Sequence, residues 1–152
     1  MNAITMLTED HRAVQRMLDE LETTTERGVK TRTELFGRIK QALTVHEVIE
    51  EEIFYPALRE HPRAKDMVLE AYEEHDVVDT IMGQLGSLPV DDETWGAKAT
   101  VMIENLRHHI EEEEKEMFPT ARRVFDADEL EQLGEQMERR RSGAEQQVAA
   151  TR

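Results

Sequence analysis

One short segment of this chain occurs twice. Shifted by 63 residues, His46–Pro56 overlays His109–Pro119, and each copy reads His-x3-Glu-Glu, then an aromatic residue and a proline. Shifted by 64, Asp10-His11 overlays Glu74-His75, and Val14, Leu18 and Leu21 overlay Val78, Met82 and Leu85. The repeating unit is therefore a helical hairpin, with one histidine on its first helix and His-x3-Glu on its second. Two such hairpins are expected to pack about a pseudo-two-fold axis.

Apolar residues recur with the 3.5–3.6 spacing of a buried helical stripe. The stripes run Ile4 to Leu21, Leu35 to Ala57, Val68 to Leu85 and Ala99 to Met117. Breaks fall at Arg27-Gly28, at His61-Pro62 and through Gly86 to Pro89, and Asp91 or Asp92 is placed to cap the fourth helix. Short loops make successive helices antiparallel, so the expected fold is all-α, an up-down-up-down four-helix bundle. After Pro119, Asp126 or Asp128 is placed to cap a weaker stripe of Leu130, Leu133 and Met137. The expected organisation is a bundle over 1–123, a short fifth helix over 124–143 packed on it, and a frayed tail over 144–152. Arg139, Arg140 and Arg141 then read as cations complementing a helix C-terminus.

The 152 residues suit one domain. With 34 acidic against 19 basic residues the net charge is −15, which opposes a nucleic-acid or anionic membrane partner. The absence of cysteine excludes disulfides, thiolate catalysis and iron–sulfur clusters. No apolar run is long enough to span a bilayer. Residues 1–12 show neither a basic nor an apolar leader region, so the expected location is the cytoplasm.

The informative residues are the polar ones on the apolar stripes: His11, His46, Glu50, His75, His109 and Glu113. An i, i+4 spacing stacks His46 over Glu50 and His109 over Glu113. Counted from the loops at 1.5 Å per residue, the four histidines fall within roughly one to two turns of one another. Buried imidazoles and carboxylates are costly unless paired or bound to a metal. One histidine on an apolar face is ordinarily a hydrogen-bonded core residue, and an acidic run is ordinarily a solvated face. Six such residues at one level, in a duplicated pattern, point instead to a metal site. Nitrogen and oxygen donors without sulfur suit iron or manganese, with zinc a further option. Ferritin-like Glu-x-x-His is absent, since Thr8, Leu43, Tyr72 and Leu106 stand three before the stripe histidines. His-Glu-x-x-His is absent too.

The ordered set His11, His46 with Glu50, His75, and His109 with Glu113 resembles the hemerythrin (HHE cation-binding) family over Met1 to about Arg123. The resemblance implies a non-haem centre of two iron ions (Fe2+/Fe3+), oxo- or hydroxo-bridged, with both glutamates bridging. His11 and His46 would hold one iron, and His75 and His109 the other. Oxygen-carrying members have a further histidine where this chain has Asp79, and a late aspartate where this chain ends in His-x3-Glu. That altered ligand set speaks against reversible oxygen carriage.

Other residues keep two readings each. Asp79 is an extra ligand, or else a solvated group or an acceptor for an imidazole N–H. Glu47 is a ligand or, with its 100° offset from His46, solvent-exposed. Tyr55 is off the stripe, unless Pro56 distorts the helix and brings its phenol to the iron. His61 is expected at the surface, and Met6, Met17, Met82, Met102 and Met117 as core filler. The expected ligand is a diatomic or peroxide, bound or reduced at the centre, and any catalysis would consume peroxide or nitric oxide. Iron storage, delivery or sensing is the alternative, and a metal-free interaction bundle a third. The expected assembly is a monomer or homodimer.

Overall fold

The computed structural model describes residues 1–150. Five helical rods account for nearly all of them. Rod α1 is Ala3–Glu22. Rod α2 begins as Val29–Ile49, passes through a π-helical turn at Glu50–Phe54 and continues as Tyr55–Arg59. Rod α3 is Lys65–Gly86. Rod α4 begins as Glu93–Glu112, passes through a second π-helical turn at Glu113–Met117 and continues as Phe118–Val124. Rod α5 is Ala127–Ala150. Contacts run from α1 to α2, α2 to α3, α3 to α4 and α4 back to α1, which agrees with the expected bundle. None of the described helices is long and apolar enough to cross a membrane.

The helix ends follow local chemistry. Asn2 Oδ1 accepts from the Thr5 amide at 2.8 Å, and Asp92 Oδ1 accepts from the Thr94 amide at 2.8 Å. Asp126 and Glu129 form a reciprocal capping box at the start of α5, at 2.8 and 3.0 Å. Each such cap is worth about 1 kcal/mol. Arg32 is buried at the end of the bundle remote from the histidines, where it spans two loops. Its guanidinium lies over Trp95, donates to the Val90 carbonyl at 2.7 Å and to Thr24 Oγ1 at 3.0 Å.

The two π-helical turns coincide with the duplicated segment. A proline clashes with the carbonyl four residues earlier and has no amide to donate. In each copy the ladder widens just before the proline, so that the Tyr55 amide reaches the Glu50 carbonyl and the Phe118 amide reaches that of Glu113. The Glu51 carbonyl, five residues before Pro56, instead accepts the Tyr72 hydroxyl at 3.1 Å. The added residue per turn rotates the remainder of the rod, and it carries Tyr55 from the flank of the stripe to complete burial.

The apolar core divides into two clusters. One is built around Leu7, Phe54, Leu58, Phe118 and Met137. The other is built around Leu18, Ile39, Leu85, Trp95 and Met102. The histidine layer lies between them. Of the five methionines expected as filler, Met6, Met82, Met102 and Met117 are buried and Met17 is half-buried. His61 is half-buried, edge-on to Phe125.

The fifth helix corrects the sequence reading. It is not short, and the helix runs through 144–150 where a frayed tail is expected; residues 151–152 of that segment lie outside the described residues. Gly143 does not end it, because no glycine here adopts positive φ. Ala144 is buried, Arg140 pairs with Glu52, and Arg141 pairs with Asp10, so the rod is anchored past the glycine. All three arginines sit within this helix and not at its end; Arg139 is exposed, and Arg140 and Arg141 anchor the rod to α2 and α1. Its first half is docked by Gly134, where an added Cβ would collide with the Met1 carbonyl and lie 3.0 Å from the Ala3 nitrogen. Gly134→Ala should therefore destabilise the protein by about 1–3 kcal/mol in urea unfolding. Gly83→Ala, with nothing near its new methyl, should stabilise it by up to about 1 kcal/mol. Equal effects of the two would contradict this docking.

Candidate metal centre

All six sequence-predicted residues are buried and converge between the two apolar clusters. Each glutamate contacts one histidine from each hairpin. Glu50 Oε1 lies 3.1 Å from His46 Nε2 and 3.2 Å from His75 Nε2. Glu113 Oε1 lies 3.1 Å from His11 Nε2 and 3.3 Å from His109 Nε2. Two overlapping donor sets result: His11, His46, Glu50 and Glu113 in one, and Glu50, His75 and His109 in the other. His108, the neighbour of His109, is exposed and pairs with Glu112 at 3.0 Å instead.

The outer nitrogens are also fixed. His46 Nδ1 lies 2.8 Å from Asp10, His75 Nδ1 2.8 Å from Glu51, His109 Nδ1 2.7 Å from Glu74 and His11 Nδ1 2.7 Å from Glu114. The order is cyclic: α1 supplies a carboxylate to α2, α2 to α3, α3 to α4, and α4 to α1. A carboxylate facing Nδ1 fixes the proton there and turns the Nε2 lone pair inwards. Sequence reasoning left these four acids unassigned. The signal was present, because each precedes a stripe histidine or follows a stripe glutamate in both repeats.

Glu113 is partnered, by His11 Nε2 at 3.1 Å and by the Tyr55 hydroxyl at 2.7 Å, but other inner atoms have no adequate partner within the protein. His75 Nε2 and His109 Nε2 face each other at 3.2 Å, and with the proton of each neutral ring held at Nδ1 by Glu51 and Glu74 both would present lone pairs. Both Glu50 oxygens are buried without a hydrogen bond. The nearby Nε2 atoms are close to them but not in a hydrogen-bonding direction. Unpaired acceptors in such surroundings are strongly unfavourable, and a cation between them removes the conflict. The donors therefore fit a metal.

In the absence of a metal, protons take its place. Burial alone would lower the histidine pKa values, but the carboxylates outweigh it. Glu50 and Asp10 push His46 up to about 10, Glu50 and Glu51 push His75 up to about 11, and Glu113 and Glu74 push His109 up to about 10. Burial would raise Glu113, yet His109 and His11 hold it well below the usual carboxylate range.

Three flanking residues resolve differently. Tyr55 is brought into the centre: its hydroxyl donates to Glu113 Oε2 at 2.7 Å and lies 3.3 Å from His75 Nε2. Burial and the two glutamates raise its pKa well above that of an ordinary phenol. Glu47 is not solvent-exposed as expected. A bundle helix faces two neighbours, so positions 100° apart both point inwards, His46 towards α1 and Glu47 towards His75. Burial, opposed by His75, raises Glu47 to about 9, and Asp79 adds to the rise. Asp79 itself is exposed beside Glu47.

A cavity adjoins the centre, lined by the four histidines, Glu47 and the apolar Val14, Leu43, Val78, Leu106 and Ile110. It is small, at the lower limit of the space that holds a single water molecule.

The raised histidine values give a signed pH prediction. Unfolded imidazoles release their protons near 6.5 and the folded metal-free ones near 10 to 11. The stabilisation is fully present below the first value and is lost as pH rises through the second. Chelated protein should lose urea stability between pH 7 and pH 10.5, and metal-loaded protein should lose much less. A flat profile for the chelated protein would contradict these assignments.

Comparisons with known proteins accord with this geometry. The chain is similar to a hemerythrin HHE cation binding domain-containing protein from Mycobacterium kansasii, whose crystal structure superposes with a TM-score of 0.85 at 26% identity, covering 97% of this chain and 89% of that one. It is also 23% identical over 148 residues to a DNA nickase from Nostoc sp.; the match covers 97% of this chain but 41% of that longer protein. The family model of the hemerythrin HHE cation binding domain matches residues 2–121, and the chain belongs to that family.

Proposed function

We propose that this chain holds two iron ions between its hairpins and there binds or reduces a small oxidant: dioxygen, hydrogen peroxide or nitric oxide. The observation that carries the reading is the pair of donor sets sharing Glu50 beside a small apolar cavity. When bound, an iron pair supplies an open coordination position and redox equivalents to a ligand in that cavity. His11 and His46 would hold one ion and His75 and His109 the other, with Glu50 and Glu113, each against one histidine of either hairpin, as the carboxylate ligands. Nitrogen and oxygen donors suit iron, and the carboxylates favour its ferric state.

The remaining residues prepare the site. Asp10, Glu51, Glu74 and Glu114 fix each imidazole's tautomer and orientation. Tyr55 donates a hydrogen bond to Glu113 and holds that carboxylate in place. Val14, Val78 and Leu106 exclude bulk water and any large substrate. The net charge of −15 argues against transferring the relative's action on DNA to this chain.

The test is metal analysis of purified protein, followed by addition of peroxide or nitric oxide to the ferrous form. About two irons per chain, near-ultraviolet charge-transfer absorption and either rapid peroxide loss or a nitrosyl spectrum are expected. His109→Ala should lose at least about half of the iron, and His108→Ala almost none. Iron-free protein, or equal losses in the two variants, would overturn the reading.

A further inference from the structure

The four carboxylates that orient the histidines are not equivalent. Arg141 of α5 donates to Asp10 Oδ2 at 2.8 Å, the same oxygen that meets His46 Nδ1. Arg12 clamps Glu114 through both of its terminal nitrogens, at 2.8 and 3.1 Å, while Glu114 holds His11. Among the described residues, no arginine or lysine forms an ion pair with Glu51 or Glu74. Their neighbours include further acids: Glu47 lies with Glu51 beside His75, and Glu112 lies beside Glu74 in an outer cluster that also holds the exposed His108. The duplicated hairpins thus enclose a charge asymmetry. Around His11 and His46 each outer carboxylate is neutralised by a guanidinium; around His75 and His109 neither is.

A carboxylate that shares its charge with a guanidinium attracts the imidazole N–H less, so that imidazole is a weaker donor through Nε2. The guanidinium's own charge also repels a nearby cation. Both effects act in the same direction. Resting on the two-ion reading above, we infer that the two ion positions are unequal: the His75/His109 position fills first and is held more tightly, and Arg12 and Arg141 are positioning residues that set the difference.

The experiment strips the full chain with a chelator and titrates it with cobalt(II) against a competing chromogenic chelator. Two phases are expected, separated by about tenfold or more in affinity. His46→Ala should abolish the weaker phase and His109→Ala the tighter one. Wild-type protein loaded with one equivalent gives the same assignment without substitution, because paramagnetic shifts should appear on the His75 and His109 ring protons before those of His11 and His46. The pair Arg12→Gln and Arg141→Gln should narrow the gap to about threefold or less, while Arg12→Lys with Arg141→Lys should preserve it. A merely structural role for the arginines would widen the gap in the glutamine pair, because a loosened Asp10 would weaken the poorer position further, and that result would overturn the inference. Two ions bound with equal affinity, or shifts appearing first on His11 and His46, would also overturn it while leaving the two-ion reading intact. Failure to bind any cobalt would remove that reading as well.

Discussion

Donor atoms facing one another in a dry interior set the terms for the rest of this molecule. Four imidazole nitrogens and two carboxylates occupy one layer, with close-packed apolar side chains above and below. Bulk water does not reach them, and the two nitrogens of His75 and His109 oppose each other at 3.2 Å. Only positive charge reconciles such a layer with its surroundings, supplied by protons or by metal. The raised histidine pKa values and the unpartnered Glu50 oxygens express the same demand in two ways. A metal bound in this layer would therefore be coupled to folding.

The surrounding architecture makes that layer rigid. The cyclic hand-off of carboxylates from each helix to the histidine of the next ties the four rods together at the level of the site. The π-helical turns have two consequences. They relieve the clash at Pro56 and Pro119, and they rotate Tyr55 into contact with Glu113. The fifth helix belongs to the same construction, since Arg141 reaches the carboxylate that orients His46. An element that reads from sequence as a short appendage is therefore in chemical contact with the centre.

Periodicity made much of the centre legible in the sequence. A residue repeated every three or four positions among leucines and valines must face the core, so His11, His46, His75, His109, Glu50 and Glu113 were readable without coordinates, and the duplication chose His109 over His108. The loops were readable for the same local reasons, and the caps were narrowed to Asp91 or Asp92 and to Asp126 or Asp128, of which the structure uses Asp92 and Asp126. The misplaced residues depend on rotation and on neighbours. Glu47 faces inwards because its helix has two partners, and a single stripe does not show that. Tyr55 faces inwards because the helix widens before a proline. The length of α5 depends on Arg140 and Arg141 finding Glu52 and Asp10, contacts between residues far apart in the chain.

Anomalous diffraction at the iron edge from crystals of iron-loaded protein tests the central claim most directly. Two peaks should lie within the layer, one against the Nε2 atoms of His11 and His46 and one against those of His75 and His109, with Glu50 and Glu113 as the carboxylate ligands. Peaks confined to the outer Glu74, His108 and Glu112 cluster, or a layer without any peak, would contradict it.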